Sequence, residues 1–370
     1  MRHLCLLFAV ALLAACEPVA ADRYRIDTVA AGLDHPWSIA FLPDGRMLVT
    51  ERAGRLRIIE DGKLLEAPVR GVPEAFVRGQ AGLFGVVLDP GYEDNGWIYL
   101  SLAHGTARAN STRVVRGRLV DGEFRDLEVL FTAEPTRSTS IHYGGRMAFL
   151  ADGTLAIGLG DGGDFREHAQ RLDSHTGTIV RIHRDGRVPA DNPFVGRDDA
   201  RPEIYSYGHR NVQGLVSDMH NNRLWAHEHG PRGGDEINLV LPGRNYGWPV
   251  ATFGVDYSGA QITPYSSRPG MEDPRLHWTP SIAPSGMTLY RGGLFPALRG
   301  DLLVTALVAR EVRRVMLDGE RVTAQESLFE EIGERLRCIE TGPDGALYVL
   351  TDSSRGRVLR ITPAAGAGQS

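Results

Sequence analysis

Histidine, arginine and carboxylates recur in this sequence beside paired glycines, where a loop meets a strand. In His142-Tyr143-Gly144-Gly145-Arg146 an imidazole precedes two glycines. A histidine's ordinary pKa of about 6.5 suits proton abstraction at neutral pH, although a structural histidine bonded to a loop carbonyl fits the same residues. Gly160-Asp161-Gly162-Gly163-Asp164 places two carboxylates on a glycine-rich loop, consistent with binding a cation, with orienting His142, or with plain turn chemistry. Tyr207-Gly208-His209-Arg210-Asn211 sets a fixed cation beside an amide. Arg335 and Arg337 are alternate residues of a strand-like run and so point the same way. Arginines converging on one place need an anion; singly, each could instead tie neighbouring elements together through carboxylates. Asp235-Glu236, with loop carbonyls at Gly230 and Pro231, offers the hard oxygen ligands that suit calcium, with surface ion pairing as the alternative.

The elements that must hold these groups are short strands. Aliphatic and β-branched runs alternate with Gly, Asp, Asn and Pro turns, and almost no stretch sustains a helical period. One phrase, an Asp-Gly-like turn followed by a strand, a polar break and a second strand, recurs six times, from Pro43, Glu93, Ala151, His220, Leu298 and Pro343. A spacing of roughly 45 to 80 residues fits one four-stranded blade plus insertions, so the chain is expected to be all-β, a six-bladed propeller of four-stranded antiparallel blades. The strand after each turn is expected to be an inner strand, with Glu51, His104, Asp161, Glu228 and Asp352 on loops at one mouth of the channel. Strands from both ends of the chain should close the ring. The insertion from Val250 to Pro280 and the stretch from Ser111 to Arg137 are expected to shape the mouth.

With 44 Gly, 21 Pro and no long charge run, the 370 residues read as folded and loop-rich. A net charge of −5 with scattered arginines excludes a nucleic-acid footprint. Residues 1–21 read as an export signal, because the apolar run from Leu4 to Ala15 is about 12 residues, too short to span a bilayer. Leu13-Ala14-Ala15-Cys16 fits a lipobox, which would make Cys16 a lipid anchor to the membrane; Val19-Ala20-Ala21 offers ordinary cleavage before Asp22. Either way the expected destination is periplasmic, with residues 22–370 forming one domain. Beyond the signal only Cys338 remains, in a strand context that suits a small buried hydrophobe.

Together these segments resemble the bacterial family of soluble glucose dehydrogenases and aldose sugar dehydrogenases that depend on pyrroloquinoline quinone (PQQ). The resemblance is carried, in order, by LDHPWSIAFLPDGRMLVTER, GQAGLFGVVLDP, HYGGRM, GLGDGGD, GHRNVQGL, EHGPRGGDEINL, NYGWP and ERLRCIETGPDGALYVLTD. It implies a calcium-dependent oxidation of aldoses to lactones, with hydride passing to PQQ. It further implies His142 as the base at the sugar's anomeric hydroxyl, Asp161 as its orienting partner and Gln80 beside the cofactor. Arg210 and Asn211 would lie at the quinone oxygens, Arg210 stabilising charge in the transition state. Arg335, Arg337 and Tyr257 would contact the cofactor. Gly230 and Pro231 would offer carbonyls to the calcium that bridges PQQ to the protein, and Glu236 and Tyr246 would hold a second, structural calcium. Where the family often has a cofactor-contacting lysine this chain has Val308, with Arg310 two residues on as a substitute and Ala306 just before it among the cofactor contacts. The electron acceptor is left open, and both a monomer and a homodimer are compatible. Two rivals are a calcium-dependent propeller lactonase, which would not need the arginine cluster, and a non-catalytic binding propeller, which would not need His142.

Overall fold

The computed structural model describes residues 24–364; the expected export signal and Cys16 lie outside the described residues. Among the described residues the strands form six four-stranded antiparallel sheets arranged as the blades of a propeller. The innermost strands are Pro36–Phe41, Leu83–Leu88, Gly144–Phe149, Val212–Asp218, Pro284–Leu289 and Leu336–Thr341. Each packs on the next, and the ring closes between the first and the last of them. The final blade is built from both chain ends, with Tyr24–Leu33 pairing along Gly356–Pro363 as its outer strand. The strand that follows each repeated turn is the second of its blade, and the innermost strand precedes the turn.

Period-two alternation explains the packing. Strand Trp97–Gly105 is buried on both faces: Ile98, Leu100 and Leu102 meet Leu48 and Leu56 of the first blade, while Tyr99 meets Met147 and Ile157 of the third. Sheets covered on both sides need apolar residues on both sides, and the second strands read accordingly as continuous aliphatic runs such as Leu155–Leu159.

All six innermost strands share one irregularity: the register with the second strand slips near the start, between Pro36 and Ser38, Leu83 and Val86, Gly144 and Met147, Val212 and Gly214, Pro284 and Gly286, and Leu336 and Cys338. A bulge re-aims the residue it displaces. In the third blade the bulge depends on glycine: Gly144 has φ +69°, and a Cβ there would lie 2.3 Å from the carbonyl oxygen of Gly158.

Candidate active site

Innermost strands begin, and second strands end, at the same face of the ring, so the chemistry-bearing segments converge there. His142, Gln80 and Arg210 directly precede innermost strands, and Arg335 and Arg337 flank the start of the last one. Asp161, Arg52, His229 and Asp352 directly follow second strands.

His142 lies against Asp161, with Nδ1 2.6 Å from Oδ1. The carboxylate is itself fixed: Oδ1 also accepts from the backbone N–H of Gly163 at 2.8 Å, and Oδ2 accepts from the indole N–H of Trp248 at 2.8 Å. A carboxylate held this way accepts the Nδ1 proton and leaves Nε2 as the basic nitrogen. The backbone N–H of His142 donates to Gln80 Oε1 at 2.8 Å. Burial lowers the His142 pKa below its ordinary value; the Asp161 hydrogen bond opposes this, and the charges of Arg210 and Arg137 add to the lowering. The imidazole is therefore neutral at pH 7, the state a base requires.

Beside this pair opens a cavity of about 260 Å³ lined by Gln80, Tyr143, Asn211, Arg52, Arg335 and Arg337, among others. Three guanidinium groups thus face one carboxylate, Asp352, whose Oδ2 lies 3.3 Å from Arg335 Nε and from Arg337 Nη2. Burial would raise Asp352, yet Arg337, Arg335 and Arg52 hold it below the usual carboxylate range. Burial lowers the pKa of Arg337, and its Nε has no hydrogen-bond partner among the described residues. The wall carries more positive charge than it neutralises, which suits a ligand bearing several carboxylates. His229, also on the wall, donates from Nε2 to the carbonyl of Pro284 at 2.6 Å and is pushed down to about 3 by burial, then by Arg210.

Below this wall the bulges supply a plug. Arg146 donates to the carbonyls of Gln213 at 2.8 Å, Ser285 at 2.7 Å, Arg337 at 3.1 Å and Trp37 at 3.4 Å, and its guanidinium carbon lies 4.0 Å from the Trp37 ring centroid. These carbonyls belong to the bulged segments of four other blades. One side chain therefore satisfies strand edges that would otherwise be unpaired at the axis. Cys338 is buried beside it, with Sγ 3.6 Å from Nη1.

Arg210 stands behind His229 at a second, much smaller cavity shared with Gly230, Glu228, Glu236, Tyr246 and Trp248. Its Nη1 donates to the carbonyl of Gly230 at 2.6 Å and of His229 at 3.1 Å. Glu236 is raised well above the usual carboxyl range by burial and then by the neighbouring charges of Glu228 and Asp235. Tyr246 is buried, its hydroxyl donating to the carbonyl of Leu239 at 2.7 Å and its ring stacked on His209.

The structure thus brings His142, Asp161, Gln80, Asn211, Arg335 and Arg337 to one mouth, and Arg210, Gly230, Glu236 and Tyr246 to the adjoining small cavity. Three residues expected at the cofactor, Tyr257, Ala306 and Arg310, do not line this cavity. Tyr257 is 70% exposed on the turn Asp256–Gly259. Ala306 is fully buried in the packing between blades, because strand alternation turns it away while Leu307 faces the cavity. Arg310 is exposed and reaches the carbonyl of Gly333 at 3.4 Å. Sequence reasoning missed Arg52, Gln213, His229 as a wall residue, and Trp248. Trp248 lies in the NYGWP segment, but its bond to Asp161 spans 87 positions and left no local signal.

Residues 33–360 match the family described as glucose/sorbosone dehydrogenase. The chain is 43% identical over 345 residues to the aldose sugar dehydrogenase YliI of Escherichia coli (strain K12), covering 92% of this chain and 93% of that one. Its fold superposes with a TM-score of 0.88 on the apo-form of the soluble aldose sugar dehydrogenase from Escherichia coli, at 42% identity over 92% of this chain and 99% of the other. It superposes with a TM-score of 0.75 on the PQQ-bound form of the aldose sugar dehydrogenase from Streptomyces coelicolor, at 29% identity over 92% and 99% of the two chains.

Proposed function

Given that this chain belongs to the glucose/sorbosone dehydrogenase family of oxidoreductases acting on sugars, we propose that it oxidises aldoses at the anomeric carbon to lactones, using PQQ and calcium. The observation that carries this is a cavity with three arginines around one carboxylate, opening beside a histidine that is locked onto an aspartate.

The donor set fits PQQ. Arg52, Arg335 and Arg337 would hold its carboxylates, and Asn211 and Gln80 would offer amide groups at the same wall. PQQ, when bound, supplies the electrophile that takes the hydride. Nε2 of His142 takes the proton from the anomeric hydroxyl, Asp161 stabilises the imidazolium that results, and Trp248 keeps Asp161 in place. Arg210 supplies a fixed positive charge beside the site.

Calcium fits the chemistry of the second cavity, where a divalent cation would relieve the crowded carboxyls of Glu236 and Glu228. That would be the structural calcium, beside Glu236 and Tyr246; Gly230 and Pro231 would lend carbonyl oxygens to the other calcium, at the cofactor, the Gly230 oxygen also accepting from Arg210. Export to the periplasm, with or without a lipid on Cys16, belongs to the same proposal, as does a diffusible or protein electron acceptor.

The test is dye reduction by purified apo-protein with a panel of aldoses, before and after addition of PQQ and calcium. Activity that requires both, with lactone as product, is expected. Hydrolysis of a lactone without PQQ, and no dye reduction, would replace this function with the lactonase.

A further inference from the structure

His142 occupies a backbone conformation that few non-glycine residues adopt. Its φ is +51°, in the left-handed region, which a non-glycine residue keeps only when its surroundings over-determine it. Gln80 holds the N–H side of the residue. The carbonyl side is held by Arg137, whose Nη2 donates to the His142 oxygen at 3.0 Å. The same guanidinium donates through Nη1 to the carbonyl of Gly160 at 3.2 Å, the residue immediately before Asp161. One side chain therefore ties the loop that carries the base to the loop that carries its carboxylate.

The surroundings of Arg137 are built for this contact. Its guanidinium carbon lies 4.5 Å from the Tyr143 ring centroid. Glycine at 162 makes the room, since a Cβ there would lie 2.6 Å from Arg137 Cδ. Nε is buried without a partner, and among the described residues no carboxylate forms an ion pair with this side chain. The carboxylate whose charge acts on this guanidinium is Asp161, the partner of the base, with which it forms no ion pair. The charged and titratable groups facing His142 are Asp161, which favours the imidazolium, Arg210 and Arg137, which oppose it, and His229 near the same wall.

We propose that Arg137 is a positioning residue for the base: its guanidinium joins the carbonyls of His142 and Gly160 and so holds the imidazole against Asp161. This rests on the assignment of His142 as the base under the proposed function.

The test begins without turnover. Histidine-selective 15N-labelled protein, free of cofactor and sugar, is titrated by NMR as wild type, R137K and R137M, with H142Q identifying the resonance. His142 is expected to titrate higher by about half to one pH unit in R137M, where the opposing charge is gone, and close to wild type in R137K. In steady-state dye reduction R137M should lose about tenfold or more in kcat with sugar KM within about threefold, and R137K should recover most of it. Should R137M fail to fold, R137Q, which keeps one amide donor but no charge, carries the same titration. An unshifted His142 resonance together with unchanged kcat in the uncharged variant overturns the proposal. Because the NMR arm needs no sugar oxidation, a protein that oxidises no aldose still decides the role of Arg137 separately from the proposed function.

Discussion

The Asp161 carboxylate makes three fixed contacts, and replacing it by asparagine separates charge from orientation. Asparagine has one acceptor oxygen and one donor amide. The Oδ1 position receives Nδ1 of His142 at 2.6 Å and the Gly163 N–H at 2.8 Å, and the Oδ2 position receives the Trp248 indole N–H at 2.8 Å. Whichever way the amide turns, its NH2 faces a donor. Loss of charge removes an attraction worth about 4 kcal/mol for full charges about 4 Å apart at an effective dielectric near 20, of which roughly half operates with a half-formed imidazolium. The donor–donor contact adds about 1–2 kcal/mol against the correct tautomer. The sum predicts a kcat loss of about 10²–10³ for D161N, with sugar KM little changed. In the double variant D161N/W248F the indole donor is gone, so the amide NH2 can turn toward residue 248 and its oxygen toward His142. That variant should be about tenfold faster than D161N, yet still slower than W248F, which retains the charge. Steady-state dye reduction at saturating PQQ and calcium measures all three. D161N within threefold of wild type, or a double variant no faster than D161N, would refute the orienting role of Asp161.

Other perturbations follow from the axis and the cavity wall. Removing the plug with R146M strands carbonyls from four blades and should cost about 3–5 kcal/mol, read as a lower guanidinium midpoint, with R146K recovering part; an unchanged midpoint would contradict the plug. Burial pushes Glu340 up to about 7, with Arg146 acting the other way. Its folded pKa therefore exceeds its unfolded value, so its contribution to stability is present below about pH 4.5 and is lost as pH rises through about 7, up to roughly 3 kcal/mol. E340Q should then gain on wild type at pH 8 relative to pH 5, and parallel unfolding curves at the two pH values would refute this. R335A and R337A should weaken PQQ binding by calorimetry, Arg337 more because it is the more deeply buried; identical isotherms would remove both from the anion site.

The repeated turn-and-strand phrase made the second strand of every blade visible, because Asp-Gly turns and aliphatic runs are local signals. Innermost strands such as Pro284–Leu289 and Leu336–Thr341 were less legible, since their bulges break the alternation that marks a strand. The candidate base and its carboxylate could be read from HYGGRM and GDGGD, where glycines flank the polar group. Arg52 and Trp248 could not, for their roles arise only where loops from different blades meet. For Ala306, adjacency to the cavity-facing Leu307 did not reveal the direction of its side chain, which alternation turns into the packing between blades.

The most direct measurement is anaerobic and stopped-flow: PQQ-loaded wild type and H142A are each mixed with glucose, and the absorbance of the bound cofactor is followed. Both proteins should bind PQQ, with wild type showing rapid sugar-dependent reduction and H142A slowed by several orders of magnitude. Equal reduction rates in the two proteins, or no PQQ bound by wild type in the presence of calcium, would contradict a His142-based sugar dehydrogenase.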